Sequence, residues 1–177
     1  DADDSGTVGG SVAVIGLGYV GACLSSVLTD AGYEVTGIDI DDELVDRINS
    51  GECPISEPTV TEQFETAVAA GQLSATTNIS AVAETDAVMV TVGTPLDDDG
   101  KPDVSSVETV ADQLGAYIVE GQLIVFRSTV TPGTTADIVK PRLDSASGLT
   151  AGDTFDLAYC PERMAEGTAW EDMTSFP

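Results

Sequence analysis

SVAVIGLGYVG, residues 11–21, joins a short apolar run to three glycines with the spacing GxGxxG. The apolar run has the length of a buried strand, and residues 19–31 place apolar side chains at helical intervals. Strand, glycine turn and helix in this order are typical of the start of a βαβ unit. Gly16 permits a tight turn, Gly18 lets a ligand approach the backbone, and Gly21 allows close packing of the helix on the strand.

The rest of the chain repeats this alternation of apolar runs and helical periods. Further strands are predicted at residues 33–39, 73–76, 87–92, 123–126 and 155–159. Further helices are predicted at residues 42–50, at 60–70, from 103 to about 118, and from Thr131 and Pro132 with Ala136, Val139 and Leu143 on the inner face. Apolar strands alternating with helices indicate a parallel sheet covered on both faces. We therefore predict an α/β fold over residues 11–177: a Rossmann-like, doubly wound, mostly parallel sheet with helices on both faces. The acidic, Gly/Ser-rich residues 1–10 are predicted to be a flexible tail.

Composition excludes several classes of function. The 177 residues include 31 Asp+Glu, 6 Lys+Arg and no His, which gives a net charge of −25. So few cations provide no basic surface for nucleic acid, and an anionic membrane would repel the chain. Without His or a CxxC pair, no metal site is predicted. The odd count of three Cys indicates a reducing, cytoplasmic location. Because 42% of the residues are hydrophobic, a core can form, and we interpret the acidity as halophilic adaptation; an ordinary acidic protein is the alternative.

The glycine segment predicts a dinucleotide site. The N-terminus of the following helix offers free N–H groups to a pyrophosphate. Asp39 closes the second strand at close to the ~20-residue spacing expected of a ribose-binding carboxylate. Such a carboxylate accepts hydrogen bonds from ribose hydroxyls and repels a 2′-phosphate, so NAD is predicted rather than NADP. The alternative is that Asp39 only caps a loop.

Three more segments follow predicted strands: VGTP at 92–95, STVTPGT at 128–134 and PERMAEG at 161–167. Ligands of open α/β sheets bind at the carboxyl ends of strands, so these segments indicate a site. Together with GLGYVG and with INSGECPISEP at 48–58, they resemble the N-terminal NAD-binding domain of the UDP-glucose/GDP-mannose dehydrogenase family. The Pro-Glu-Arg sequence at 161–163 is more similar to the UDP-N-acetyl-D-mannosamine dehydrogenase branch.

The resemblance implies an NAD-dependent oxidoreductase of polysaccharide biosynthesis that oxidises the C6 alcohol of a UDP-sugar to the uronic acid with two NAD. The cofactor contacts that it implies are those of Gly16, Gly18, Tyr19, Val20, Gly21, Asp39, Thr94 and Thr129. The substrate contacts that it implies are those of Glu162, Arg163 and Met164. In the catalytic roles, Thr129 would lie near the reacting water and Glu166 would assist proton transfer.

The residues themselves support an acid–base role for the last of these segments. Glu162 and Glu166 are four residues apart, so a helical turn would place both carboxylates on one face, where each raises the other's proton affinity. The alternative is an exposed acidic helix start with Arg163 in a surface ion pair.

Other functions stay open at this point. UDP-glucose or GDP-mannose are alternative substrates, and a self-standing NAD-binding regulatory module or another two-domain dehydrogenase would also explain the glycine motif. The catalytic Cys, Lys and Asn of the family correspond to positions beyond residue 177. We therefore expect this chain alone to bind NAD without turning over substrate, and the full-length enzyme to be a homodimer.

Overall fold

The strands form one six-stranded sheet in the computed structural model, which describes residues 9–96, 99–100 and 102–175. The strands are β1 (Ser11–Ile15), β2 (Glu34–Ile38), β3 (Leu73–Thr76), β4 (Ala87–Val90), β5 (Leu123–Phe126) and β6 (Asp156–Tyr159). Every pairing between them is parallel, in the order β3-β2-β1-β4-β5-β6. This order is that of a doubly wound dinucleotide-binding sheet, so the predicted fold is confirmed. The strand order reverses between β1 and β4, and in sheets of this kind ligands bind at the carboxyl ends of the strands at that point. Residues 1–8 of the predicted tail lie outside the described residues.

Helices cover both faces of the sheet. They are α1 (Tyr19–Asp30), α2 (Asp42–Asn49), α3 (Pro58–Ala69), α4 (Ser105–Gly115), α5 (Lys140–Ser147) and α6 (Ala169–Ser175), with a 3₁₀ segment at Ile79–Glu84 and a π-helical segment at Thr134–Val139. None of the helices in the described part of the chain has both the length and the apolar character needed to cross a membrane.

Alternate residues of β1 supply two separate cores. Val12 and Val14 pack in the cluster that includes Phe64 of α3, whereas Ala13 and Ile15 pack in the cluster of α4 and α5. Successive side chains of a strand point to opposite faces, so a strand that is buried on both faces is apolar at every position. This explains why the unbroken apolar run located β1 from the sequence.

The fifth helix begins later than the sequence predicted. Thr131 is not its N-cap. Gly133 has φ +95°, which is not a helical conformation, so no helix runs from Thr131 through this residue. The first turns, at Thr134–Val139, are π-helical. Pro141 has no N–H, and its ring crowds the carbonyl four residues earlier, which accounts for the widened turn before α5. Ala136, placed on the inner face by the prediction, is exposed.

Candidate functional site

The glycine loop has the geometry that its spacing predicted. Gly16 has φ +90°, and a Cβ on Gly21 would lie 1.9 Å from the carbonyl oxygen of Gly16. The turn therefore suits glycine at the first position, and the close packing of α1 on β1 requires it at the last. At Gly18 a Cβ would meet no atom within 4 Å, so this backbone is open to a ligand.

The N-terminus of α1 adjoins this open backbone. Gly18 is its N-cap and provides no side-chain cap, and the first turn carries no acidic residue. The first N–H groups of a helix lack intrahelical partners and sit at the positive end of the helix dipole. An exposed glycine, a helix N-terminus without a side-chain cap and a first turn without acidic residues fit the pyrophosphate of a dinucleotide.

Asp39 lies directly at the glycine loop. Its Oδ2 accepts a hydrogen bond of 2.7 Å from the N–H of Leu17, and its Oδ1 accepts one of 3.1 Å from the N–H of Asp41. Asp39 therefore does hold a loop, which was the alternative interpretation. A carboxylate has about four lone-pair sites, so these two bonds leave capacity for ribose hydroxyls.

The segments after β4 and β5 meet beside the loop. Thr91 Oγ1 donates a hydrogen bond of 2.7 Å to the carbonyl oxygen of Gly16. Thr94 Oγ1 donates to the carbonyl oxygen of Thr129 over 2.6 Å, and Ser128 Oγ donates to the backbone after β4 over 2.6 Å. The structure thus brings together Thr94 and Thr129, two of the predicted cofactor residues.

Arg127, at the end of β5, is a site residue that the sequence argument missed. Its Nη2 donates to Glu162 Oε2 over 2.6 Å, and the two side chains are only 17% and 13% exposed. Its Nε is buried and has no partner among the described residues. An arginine directly after a buried strand, in a chain with only 6 cations, was the signal that could have identified it.

The carboxylate of Glu162 is fully engaged with protein donors. Its Oε1 accepts hydrogen bonds from the N–H groups of Arg163 and Met164, at 2.8 and 2.9 Å. Burial raises the pKa of Glu162, but the hydrogen bonds from Met164, Arg127 and Arg163 outweigh it, and the pKa lies below its usual value. Glu162 therefore orients the segment that follows it.

The predicted helical turn from Glu162 to Glu166 is wrong. Residues 161–165 are not helical, a turn follows, and the next helix starts at Ala169. Glu162 binds the N–H groups of the next two residues, which replaces a helical start, and Gly167 has φ +91°. The two carboxylates therefore do not share a helix face, and the pKa of Glu162 is lowered rather than raised. Glu166 itself is exposed.

Glu57 connects the glycine loop with this last segment. The hydroxyl of Tyr19 donates to Glu57 Oε1, and the N–H of Gly167 donates to the same oxygen over 2.6 Å. These two contacts join Glu57 to residues that lie 38 and 110 positions away in the chain. No local pattern indicates a contact of that range.

Two of the three cysteines, Cys23 and Cys53, are buried. Burial, followed by the nearby Cys53, raises the pKa of the Cys23 thiol to about 12. Cys160 is exposed and lines a pocket of about 360 Å³ together with Arg127 and Met164. The described residues contain no group of three or more acidic or Cys side chains placed to hold a metal ion.

The sheet order and the glycine loop define a dinucleotide-binding domain of the dehydrogenase type. Residues 10–177 match the NAD binding domain of the UDP-glucose/GDP-mannose dehydrogenase family, to which this chain therefore belongs, as the sequence motifs predicted. NAD is accordingly the cofactor of this domain.

Relatives within the family have different substrates in their names. The chain is 38% identical over 167 residues to UDP-glucose 6-dehydrogenase AglM of Haloferax volcanii, covering 93% of this chain and 39% of the relative. It is 40% identical over 170 residues to GDP-mannose 6-dehydrogenase of Azotobacter vinelandii, covering 94% and 39%. The chain thus spans about two fifths of the length of these relatives.

Solved structures agree with the fold. A ternary complex of GDP-mannose dehydrogenase from Pseudomonas aeruginosa superposes with a TM-score of 0.88 at 37% identity, covering 92% of this chain and 38% of that one. UDP-D-ManNAc dehydrogenase from Pyrococcus horikoshii gives 0.87 at 31% identity, covering 92% and 38%.

Proposed function

We propose that this chain is the NAD-binding part of a nucleotide-sugar 6-dehydrogenase, which oxidises the C6 alcohol of the sugar to the carboxylate with two NAD. One observation carries the proposal: the glycine loop, the Thr94–Thr129 contact and the segment at 161–167 all follow carboxyl ends of strands in one sheet. A regulatory module that only binds NAD needs the first two of these and gives no role to the segment at 161–167.

Different residues on the dinucleotide side would contact different parts of the cofactor. Gly18 and the α1 N-terminus would hold the pyrophosphate, and Asp39 the ribose hydroxyls. Tyr19, Val20, Thr94 and Thr129 would flank the remainder. NAD supplies the hydride acceptor for both oxidation steps.

The residues of the sugar side follow the strands β5 and β6. Arg163 and Met164 would bind the nucleotide sugar, because a guanidinium fork makes bidentate contacts with diphosphate or sugar oxygens. Glu162 would act there by fixing the backbone of both residues. With no His in the chain, proton transfer falls to a carboxylate, a hydroxyl or water, and the exposed Glu166 is the proposed carboxylate, with Thr129 near the reacting water.

For the substrate, residue pattern and overall similarity favour different sugars. Arg163 after Pro161-Glu162 favours UDP-N-acetyl-D-mannosamine, which is the substrate that we propose. UDP-glucose and GDP-mannose are the second candidates, because relatives named for them are 38% and 40% identical to this chain, against 32% for a UDP-N-acetyl-D-mannosamine dehydrogenase.

The test is turnover by the full product of the gene. Each of the three nucleotide sugars is supplied with NAD in concentrated salt, and NADH is followed with the sugar product. We expect two NADH per sugar oxidised, with the highest kcat/KM for UDP-N-acetyl-D-mannosamine. No NADH from any of the three would overturn the proposed function, and a better rate with another sugar would overturn only the substrate.

The proposed role of Glu166 has its own test. Glu166→Gln is expected to lower kcat about 100-fold or more while the Kd for NAD stays unchanged, because a general base contributes factors of this size. Glu171→Gln, at an exposed glutamate of α6, is the matched control. Unchanged turnover in Glu166→Gln would remove Glu166 from the mechanism.

A further inference from the structure

Glu57 has no role in the chemistry proposed above, yet its carboxylate touches both sides of the site. It accepts a hydrogen bond from the hydroxyl of Tyr19, which is the first residue of α1. It accepts another from the N–H of Gly167, which is the last residue of the segment at 161–167. Both donors bind the same oxygen, Oε1. One carboxylate oxygen thus joins the cofactor loop to the segment proposed for the sugar.

The chemistry of this contact suits a carboxylate in particular. An ionised carboxylate only accepts hydrogen bonds, and both of its partners here are donors. Among the ion pairs of the described residues, none involves Glu57, so neutral donors hold its charge. Hydrogen bonds to a charged acceptor are about twice as strong as neutral ones.

Glu57 stands on a rigid support. It is the N-cap of α3, and Pro58 at the helix start fixes the backbone direction directly after it. Two contacts of the first turn anchor this end of α3: Val60 is fully buried, and Thr61 Oγ1 donates to the carbonyl oxygen of Ile55 over 3.1 Å. The backbone that carries this carboxylate is therefore fixed where it meets Tyr19 and Gly167.

Tyr19 and the segment at 161–167 also contact a common apolar cluster. Tyr19, Met164 and Trp170 all pack against the buried side chains of Cys23, Val60 and Ala169. Through these contacts the start of α1 and the segment at 161–167 lie against the same surface. Tyr19 is therefore linked to this segment by two routes, the carboxylate of Glu57 and the apolar cluster that includes Met164.

We propose that Glu57 is a positioning residue that couples the two halves of the site, so that NAD binding at the glycine loop orders residues 161–167. Tyr19, once held by the bound dinucleotide, holds Glu57, and Glu57 holds the N–H of Gly167. If NAD has already ordered residues 161–167, the nucleotide sugar binds without the entropic cost of ordering them. By the same coupling, the bound sugar strengthens the binding of NAD. The inference rests on the proposed function in one respect, that residues 161–167 face the nucleotide sugar.

Hydrogen exchange of this 177-residue chain, with and without saturating NAD, tests the coupling without any turnover. In the wild type, NAD is expected to slow exchange in peptides covering 161–168 by about tenfold, the effect of one charge-assisted hydrogen bond. In Glu57→Ala, exchange there is fast and changes less than about twofold with NAD. Glu57→Gln keeps an acceptor oxygen and is expected to restore part of the protection.

Two further variants make the result specific. Glu62→Ala, at an exposed glutamate of α3, removes the same charge from the same helix and should behave as the wild type. Tyr19→Phe removes only the hydroxyl: the bond from Gly167 to Glu57 persists, and its dependence on NAD disappears. This variant decides the question if circular dichroism shows that Glu57→Ala does not fold.

Two outcomes overturn the coupling: wild-type exchange at 161–168 that ignores NAD, or NAD-dependent protection that survives in Tyr19→Phe. Either result is separate from the proposed function. Failure of the full gene product to oxidise any nucleotide sugar overturns the function while the exchange result stands, so the two failures are distinguishable.

Discussion

Thr94 donates its hydroxyl to the carbonyl oxygen of Thr129 over 2.6 Å, so a side chain after β4 holds the backbone after β5. The two strands are neighbours in the sheet, and β4 also pairs with β1, which leads into the glycine loop. Together with the bond from Ser128 Oγ to the carbonyl oxygen of Val92, it links the two segments that we propose to flank the dinucleotide.

Thr94→Val removes this bond with little change in size. We expect the Kd for NAD to rise about fivefold, because one lost hydrogen bond is worth about 1 kcal/mol and the Thr129 segment is freed. Thr94→Ser should bind NAD as the wild type does. Isothermal titration calorimetry measures both, with Thr109→Val on the exposed face of α4 as control; equal affinity in Thr94→Val and wild type would contradict the role.

Asp39→Asn tests the preference for NAD over NADP. The amide oxygen can still accept from the N–H of Leu17, so the loop keeps its shape, while the charge that repels a 2′-phosphate is lost. The ratio of NADH to NADPH affinity should fall about tenfold, as expected for one charge next to a phosphate. Titrations in concentrated salt measure the ratio, with Asp46→Asn as control; an unchanged ratio argues against Asp39 as the selecting residue.

Gly21→Ala should lower the stability of the fold, whereas Gly18→Ala should lower the affinity for NAD. A Cβ at Gly21 would stand 1.9 Å from the carbonyl oxygen of Gly16, so α1 must shift, and the free energy of unfolding should fall by about 2–4 kcal/mol. At Gly18 the Cβ meets nothing within 4 Å, so the fold should persist while NAD affinity drops. Urea unfolding and NAD titration separate the two effects; a stable Gly21→Ala, or tight NAD binding by Gly18→Ala, would contradict the assigned roles.

The Arg127–Glu162 pair predicts a pH dependence of stability. Because the pKa of Glu162 is lowered in the folded state, the ionised group stabilises the fold above its ordinary value near 4.5. That contribution is lost as pH falls through the lower, folded-state pKa. Between pH 7 and pH 3, the free energy of unfolding should therefore fall less in Glu162→Gln than in the wild type, as measured by urea unfolding, with the exposed Glu84→Gln as control.

Removal of the cation tests the same pair from the other side. Arg127→Met leaves the mostly buried carboxylate unpaired, and we expect a loss of about 3 kcal/mol at pH 7. The double variant Arg127→Met/Glu162→Gln should recover part of that loss. If the two single losses simply add in the double variant, the residues are not coupled.

Local chemistry explains which parts of the fold could be predicted from the sequence. The bounds predicted for β1 and β5 agree with the structure, because strands covered on both faces are apolar along their length. The bounds of β3 also agree, although it is an edge strand on which Ser74 is exposed. The π-helical start before α5 was missed, because Thr131 and Pro132 form a strong local start signal. What prevents a helix there is the left-handed backbone of Gly133, a conformation that any glycine can adopt but that no pattern requires.

The site was predictable only where a motif carries its own geometry. Gly16 and Gly21 have the turn and the packing expected of them, since neighbouring residues impose these, and Asp39 makes the loop contact that was its alternative interpretation. The contacts of Glu57 with Tyr19 and of Arg127 with Glu162 depend on how distant strands and helices pack. Nothing in the local sequence determines them, and the helical turn wrongly drawn through residues 161–167 shows the limit of spacing alone.

The absence of a side-chain cap on α1 has a consequence for how fast the cofactor is captured. The groups available to a pyrophosphate at Gly18 are neutral N–H dipoles, which act over short distances, whereas the net charge of −25 repels an approaching anion from afar. Dissolved ions weaken the distant repulsion and leave the contact dipoles nearly untouched. The rate of encounter with NAD should therefore increase with ionic strength, whereas it would decrease for a pocket lined with arginines. The acidic surface thus slows NAD binding in dilute solution but not in concentrated salt.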